Sequence, residues 1–155
     1  MKYRVVEYRK DRDAAPADRD SIPVDAAFDL LKTTHWAADL SREVLERAME
    51  NSLCFGLLRS RDLVGFARVI TDRATYAYLT DVVIAADLRG QGVGRWMVER
   101  ILDHPDLQNL RRVSLLTRDC AEFYSRLGFR TGAGPLTYME RRGAFIAESD
   151  AGANI

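Results

Sequence analysis

Apolar residues in the first third of the chain recur with the period of a helix. Two runs place them three and four positions apart, and Ser41 precedes the second run as a suitable N-cap. The apolar stripes consist of Val24, Ala27, Phe28 and Leu31 in the first run and Val44, Leu45, Ala48 and Met49 in the second. The pattern predicts two amphipathic helices, the first beginning near Ser21 with Pro23 in its first turn.

The middle of the chain shows the shorter period that is typical of strands. Residues 53–59 and 63–71 flank a polar turn and predict a β-hairpin. Residues 75–86 predict a longer strand, whose continuous apolar end from Val82 to Ala86 is typical of a strand covered on both faces. Another strand is predicted at residues 2–9, before the two helices.

Helices and strands alternate in the last third of the chain. The pattern predicts a third helix at residues 93–102 and a strand at residues 112–117. Asp119 and Glu122 are spaced as the capping box of a fourth helix. Gly128 is suited to end that helix, because glycine readily adopts the left-handed conformation.

Two final strands are expected, one beginning at Phe129 and one at residues 136–141. The predicted order is β-α-α-β-β-β-α-β-α-β-β, which describes an α/β (α+β) domain. Its sheet is mixed and mostly antiparallel, with six to seven strands, about four flanking helices and one parallel β-α-β crossover. We expect one domain at residues 1–142 and a flexible tail at residues 143–155.

Composition narrows the class of protein. The chain has 155 residues, 47% of them hydrophobic and 30% charged, so that it can bury the core of a single domain. Lys plus Arg and Asp plus Glu both number 23, which argues against a protein whose main task is to grip nucleic acid. Cys54 and Cys120 lack the spacing of a zinc site, and the longest apolar runs are too short for a membrane helix. We expect a cytoplasmic protein without a metal, a membrane segment or a nucleic-acid partner.

The most informative segment is a glycine-rich turn between the long strand and the third helix. It reads Arg89-Gly90-Gln91-Gly92-Val93-Gly94-Arg95. Glycine lets the backbone approach a ligand closely, and the N–H groups of a helix N-terminus attract anions, so the turn predicts a phosphate cradle. Neither the GxGxxG spacing for dinucleotides nor the GxxxxGK[ST] spacing for ATP is met. The alternative is a tight turn that binds no ligand. Three glycines argue against it, because each loses much conformational entropy on folding and a segment that only connects a strand to a helix does not need them.

This turn resembles the acyl-CoA pyrophosphate loop of the GCN5-related N-acetyltransferase (GNAT) superfamily, whose pattern is Arg/Gln-x-x-Gly-x-Gly/Ala. The segment Ala121-Glu-Phe-Tyr-Ser-Arg-Leu-Gly-Phe129 is similar to the family's second motif, a helix that carries a tyrosine and ends in Leu-Gly-Phe. The predicted order of elements also matches, over roughly residues 3 to 141. The resemblance implies a GNAT-like domain that acts as an acetyl-CoA-dependent N-acetyltransferase.

The resemblance also implies where acetyl-CoA binds. Its pyrophosphate would lie on the amides of the glycine-rich turn, and its pantetheine arm would run beside the long strand and pair with backbone groups. Thr117 stands where many relatives have Asn near the pantetheine or adenine end. The affinity for CoA could therefore differ from that of those relatives. The residues implied in cofactor binding are Val82, Val83, Ile84, Arg89, Gly90, Gln91, Gly92, Val93, Gly94, Arg95, Thr117 and Tyr124.

Two residues are candidates for catalysis. Tyr124, in the second motif, can hydrogen-bond or protonate the thiolate that leaves when an amine attacks a thioester; a core aromatic is its alternative interpretation. Asp81 interrupts an apolar strand where many family members have an acidic residue, and it can accept the proton of the amine directly or through water. The alternative for Asp81 is a strand-edge residue paired with an arginine.

The acceptor is less clear from the sequence. Family precedent places it between the first two helices and the strands beyond the motif, where His35, Trp36, Arg68 and Tyr78 are candidate lining residues. Without the strand register, the faces on which Arg68 and Tyr78 lie remain open.

The sequence therefore predicts direct transfer from acetyl-CoA to a primary amine, through a tetrahedral intermediate and without a metal. A non-catalytic acyl-CoA-binding or sensing module is the alternative, and the presence of both Tyr124 and Asp81 favours the enzyme. A small-molecule amine is preferred over a protein acceptor because no peptide-binding groove is evident. The sequence also leaves the oligomeric state undecided, and the edge strand at residues 136–141 could pair across a homodimer.

Overall fold

The computed structural model describes residues 3–8, 21–132, 134–141 and 143. The predicted tail at residues 143–155 lies outside the described residues, apart from Gly143. The chain divides into two compact units, Met1–Val113 and Ser114–Ile155.

The first unit combines a sheet with helices. Its elements are β1 (Tyr3–Glu7), α1 (Val24–Leu31), α2 (Arg42–Glu50), β2 (Leu53–Arg59), β3 (Asp62–Thr71), β4 (Tyr76–Ile84) and α3 (Val93–Leu102). Short 3-10 turns follow α1, β4 and α3 at His35–Ala37, Ala86–Leu88 and Pro105–Leu107. β5 (Arg112–Leu115) crosses into the second unit, which also contains α4 (Ala121–Ser125).

The strands follow the order β1-β2-β3-β4-β5 in one sheet. Each of the first three neighbouring pairs is antiparallel, as the sequence predicts for this part of the chain. The β2–β3 hairpin is confirmed, and Ser60 in its turn has a φ of 60°, the left-handed conformation that tight hairpins favour. α1 packs against β3 and β4, so that it lies over the middle of the sheet.

The core of the first unit lies between this sheet and α1 and α2. Burial of a Leu or Phe side chain contributes about 1.5–3 kcal/mol, so the two apolar stripes hold the helices on the sheet. The members of this core cluster are Val6, Ile22, Ala27, Leu31, Ala37, Leu45, Met49, Cys54, Leu58, Phe66 and Val83.

Only α2 begins with a side-chain N-cap; α1 does not. The hydroxyl of Ser41 accepts a hydrogen bond from the Val44 N–H at 3.3 Å, which confirms the predicted N-cap of α2. The predicted start of α1 near Ser21 is too early, because Pro23 has an extended ψ of 131° and precedes the helix. The proline ring carries no hydrogen-bond acceptor, so Pro23 precedes α1 without a side-chain cap.

The sheet has fewer strands than predicted. The described residues form five strands instead of six to seven, and neither Phe129 nor residues 136–141 lie in one. Gly132 and Gly134 have φ angles of 61° and 73°, at which an extended chain turns away. Met139 is 86% exposed, so the alternating pattern of residues 136–141 buries no continuous apolar face. The mixed α/β fold is confirmed, and the predicted order of elements is confirmed as far as α4.

Candidate active site

The centre of β4 departs from regular pairing. One residue separates Phe66 from Arg68 in β3, whereas Asp81 and Val82 both separate their partners in β4, which is a β-bulge. The φ of Asp81 is 55°, in the left-handed region that costs a residue with a side chain about 1–2 kcal/mol. The bulge redirects the backbone within the stretch of β4 that the family resemblance assigns to acetyl-CoA.

An ion pair lies at this bulge. The Nε of Arg68 donates to Oδ2 of Asp81 at 2.7 Å, and each side chain is 16% exposed. The Nη1 of the same guanidinium donates to the Ser52 hydroxyl at 3.1 Å. The pairing of Asp81 with an arginine, which the sequence left open, is therefore present, and Ser52 is a member of this group that the sequence did not identify.

Cys54 lies beside this ion pair in a fully buried position. It is opposite Arg68 in the β2–β3 register, and its backbone carbonyl accepts a hydrogen bond from the Tyr8 N–H at 2.9 Å. Burial raises the pKa of the Cys54 thiol from 9.0 to about 12; the Arg68 guanidinium opposes the increase and Asp81 adds to it. A thiol that keeps its proton at neutral pH is a poor nucleophile, so Cys54 serves as packing.

The Cys54 thiol makes folding stability sensitive to alkaline pH. Because its pKa is higher in the folded than in the unfolded chain, its contribution is complete below pH 9 and is lost as the pH rises towards 12. We expect Cys54→Ala to remove a slope of up to about 1.4 kcal/mol per pH unit between pH 9 and 10.5, measured by urea unfolding. Burial also raises the pKa of the exposed Cys120 thiol, so Cys120→Ala should remove its own contribution but retain the part of the slope due to Cys54. Equal slopes for the two variants would contradict this account.

The glycine-rich turn forms the N-terminus of α3. Gly92 is the N-cap with a φ of 78°, and Gly90 has a φ of 74°. A Cβ built at either glycine meets no atom of the described chain within 4 Å, so the backbone faces open space. No described side chain caps this ten-residue helix, and the first N–H groups of an α-helix have no partners within it. These features fit a site for an anionic phosphate group.

The long side chains of the turn bond to the protein itself. Nε of Arg89 donates to the Ile84 carbonyl at 3.0 Å, and Nε2 of Gln91 donates to the Asp87 carbonyl at 2.6 Å. Arg95 pairs with Glu99 one turn along α3 at 2.8 Å. In this conformation the arginine side chains are directed to partners within the protein, so a phosphate cradle here would rely on the backbone amides.

The end of β4 presents a backbone edge near the turn. Ala85 N–H donates to the Val64 carbonyl at 2.8 Å, which directs the backbone groups of Ala85 towards β3. In an antiparallel pair such residues alternate with residues whose groups point away, so the Ile84 N–H and carbonyl lie on the opposite edge. This edge has the polarity that an added pantetheine chain would need, and Arg89 now occupies its carbonyl.

Tyr124 is a half-buried residue of α4 in the second unit. Its ring contacts those of Phe123 and Phe129 edge to face, with centroids 4.9 and 5.8 Å apart. Burial raises the pKa of the Tyr124 phenol from 10.0 to about 12, and Cys120 adds to the increase. The phenol therefore keeps its proton throughout the neutral range, as a hydrogen-bond donor requires.

The ends of α4 differ in part from the prediction. Cys120 occupies the N-cap position and Asp119 does not, so the predicted capping box is wrong. The Thr117 hydroxyl accepts the Cys120 N–H at 3.1 Å instead, and this bond gives Thr117 a structural role. At the other end, Gly128 has a φ of 91° and ends the helix as predicted.

The predicted acceptor residues lie in two places in the first unit. His35 and Trp36 form a 3-10 turn after α1 with their rings edge to face, and Trp36 is 48% exposed. Arg68 shares one face of the sheet with Ile70, whose partner across the β3–β4 ladder is Tyr78. Ile70 is 45% exposed on this face and was not among the predicted lining residues, although the alternation of Phe66, Arg68 and Ile70 in β3 would have placed it there.

The part of the chain that the structure describes contains neither a candidate metal site nor a candidate membrane helix. Within residues 3–8, 21–132, 134–141 and 143, no group of three or more His, Cys, Asp or Glu residues could hold a metal ion. Across the same residues, no helix has the length and apolar character needed to span a bilayer.

Comparisons with known proteins agree with this fold. Residues 24–129 match the Acetyltransferase (GNAT) family. The chain is 36% identical over 141 residues to the inferred acetyltransferase FG08082 of Gibberella zeae, covering 77% of each chain. The crystal structure of an inferred GNAT-family acetyltransferase from Xanthomonas campestris pv. campestris has a TM-score of 0.75 and 39% identity, over 81% of this chain and 89% of that chain. A GNAT-family acetyltransferase from Elizabethkingia anophelis with acetyl-CoA bound shares the fold, with a TM-score of 0.62 and 13% identity over 85% of this chain and 78% of that chain. The chain belongs to the GNAT family and is an N-acetyltransferase.

Proposed function

We propose that this enzyme transfers an acetyl group from acetyl-CoA directly to a primary amine. The observation that carries the proposal is the N-terminus of α3, where two left-handed glycines and an uncapped first turn face open space. Acetyl-CoA, when bound, supplies an acetyl group activated as a thioester. The amides of residues 89–95 would hold its pyrophosphate, and no metal is required.

The backbone of the bulge and two side chains would share the chemistry. Amides near Val82 would polarise the acetyl carbonyl of a bound thioester, because the left-handed turn at Asp81 redirects the backbone at that point. Asp81, or a water that it orders, takes the proton from the attacking amine. Tyr124 retains its proton at neutral pH and donates it, or a hydrogen bond, to the departing thiolate.

A small-molecule amine is the proposed acceptor class. The support is the sheet face that carries Ile70 and Tyr78, which places an exposed apolar side chain near the Asp81 carboxylate that Arg68 holds. Such a surface can take the apolar body of a small amine while the nitrogen meets polar groups. A thiol-release assay with primary amines and their matched alcohols tests this class, because only the amines should react.

Variants of Asp81 test the proposed proton acceptor. Asp81→Asn keeps the shape and the tolerance for a left-handed conformation but loses the charge, whereas Asp81→Gly relieves the backbone and removes the side chain. Both should lower kcat about 100-fold, within the range for loss of a general base, and retain CoA binding by titration calorimetry. If Asp81→Asn keeps wild-type kcat, the residue only shapes the bulge.

A further inference from the structure

Arg68 joins three parts of the first unit through one guanidinium. It lies in β3, donates through Nε to Asp81 at the β4 bulge, and donates through Nη1 to Ser52, which precedes β2. A guanidinium is planar, so these two hydrogen bonds fix its plane as well as its position. The Arg68 side chain is only 16% exposed and therefore has little freedom to swing towards a bound substrate.

The bulge needs such a support for two reasons. The left-handed conformation of Asp81 is unfavourable for a residue with a Cβ, so something else must hold it. The Asp81 carboxylate is also largely removed from water, where a charge without a partner is strongly disfavoured. The hydrogen bond from Arg68 addresses both, because it fixes the carboxylate and with it the backbone to which the carboxylate is attached.

We propose that Arg68 is a positioning residue, which holds the Asp81 carboxylate through Oδ2 and thereby fixes the bulge that aims the Val82 backbone at the acyl group. This inference rests on the proposed function. The sequence predicts Arg68 as a lining residue of the acceptor site; we assign it instead to the support of the bulge. Oδ2 is committed to Arg68, so Oδ1 is the oxygen that receives the amine's proton or orders the water that does. Arg68 itself touches neither substrate.

Lysine cannot replace arginine in this arrangement. A lysine ammonium carries the same charge but has no planar fork with which to hold Ser52 and Asp81 at fixed angles. The proposal therefore predicts that Arg68→Lys only partly restores what Arg68→Gln loses. Ser52→Ala removes the second anchor while leaving the ion pair in place, and it should have an intermediate effect.

A double-mutant cycle with Asp81 tests whether Arg68 acts through that residue. Arg68→Gln should lower kcat at least about tenfold, with the Kd for acetyl-CoA and the KM for the amine each changed less than about threefold. Arg68→Gln combined with Asp81→Asn should be no slower than Asp81→Asn alone, within about twofold, because both changes break the same link. Arg61→Gln, at the exposed hairpin turn, is the matched control and should match the wild type.

The position of the bulge can be followed without turnover. In ¹⁵N–¹H NMR spectra of the free protein, Arg68→Gln should shift the Val82 amide, while Arg61→Gln leaves it unchanged. Fully additive losses in the cycle, a KM effect without a kcat effect, or an unmoved Val82 amide would each overturn the proposal. If the Val82 amide moves in Arg68→Gln but the wild type transfers no acetyl group, the proposed function fails while the support of the bulge by Arg68 stands.

Discussion

Gly92→Glu is expected to weaken the binding of acetyl-CoA more than about 100-fold, whereas Gly92→Ala should weaken it no more than about 30-fold. Both variants place a Cβ on a residue with a φ of 78°, and they share a conformational cost of about 1–2 kcal/mol, which can reduce affinity by roughly 5- to 30-fold. A Cβ at this position meets no described atom within 4 Å, so the alanine side chain adds no collision. The glutamate adds a carboxylate to the N-terminus of α3, where it competes with and repels the pyrophosphate.

Isothermal titration calorimetry with acetyl-CoA measures this difference. The alanine variant is the matched control for backbone strain, and thermal unfolding should show similar stability for the two variants. Equal losses of affinity would show that strain in the turn, and not a negative charge in an anion cradle, determines binding. The pyrophosphate assignment would then be wrong.

Tyr124→Phe is expected to lower kcat about 100-fold, within the range found for the loss of a general acid, while the affinity for acetyl-CoA stays within about threefold. The substitution keeps the ring that packs on Phe123 and Phe129 and removes only the hydroxyl. The pKa of about 12 means that the wild-type phenol carries its proton at every neutral pH. Loss of this proton donor should therefore lower kcat when departure of the thiolate limits the rate of turnover.

The control for this variant is Tyr3→Phe, which removes a phenol from β1. Steady-state kinetics with a saturating amine, together with calorimetry for CoA, separate turnover from binding. An unchanged kcat for Tyr124→Phe would assign Tyr124 to packing, the alternative that its aromatic neighbours also fit.

Local sequence signals predicted most of the first unit. The stripes of α1 and α2, the cap at Ser41 and the turn at Ser60 depend on residues close in sequence, and each is confirmed. The glycine-rich turn was also readable, because left-handed residues at a helix start leave a spacing of glycines in the sequence.

The features that were missed depend on contacts between distant residues. The bulge at Asp81 is defined only by its register against β3, and no spacing within β4 reveals it. The hydrogen bond from Arg68 to Ser52 joins residues 16 positions apart. A polar residue before a strand does not indicate such a bond in the sequence. The strand predicted at residues 136–141 is the opposite case, a local signal that is present without the structure it predicts. An alternation of apolar and polar side chains does not form a strand unless it packs on a sheet.

The most direct test of acetyl transfer to a primary amine uses one purified sample in two steps. Acetyl-CoA is first titrated into the protein by calorimetry, and thiol release is then followed with DTNB against paired primary amines and alcohols. We expect saturable binding of acetyl-CoA, followed by thiol release that requires an amine. Binding without amine-dependent release, or no binding at all, would contradict this expectation.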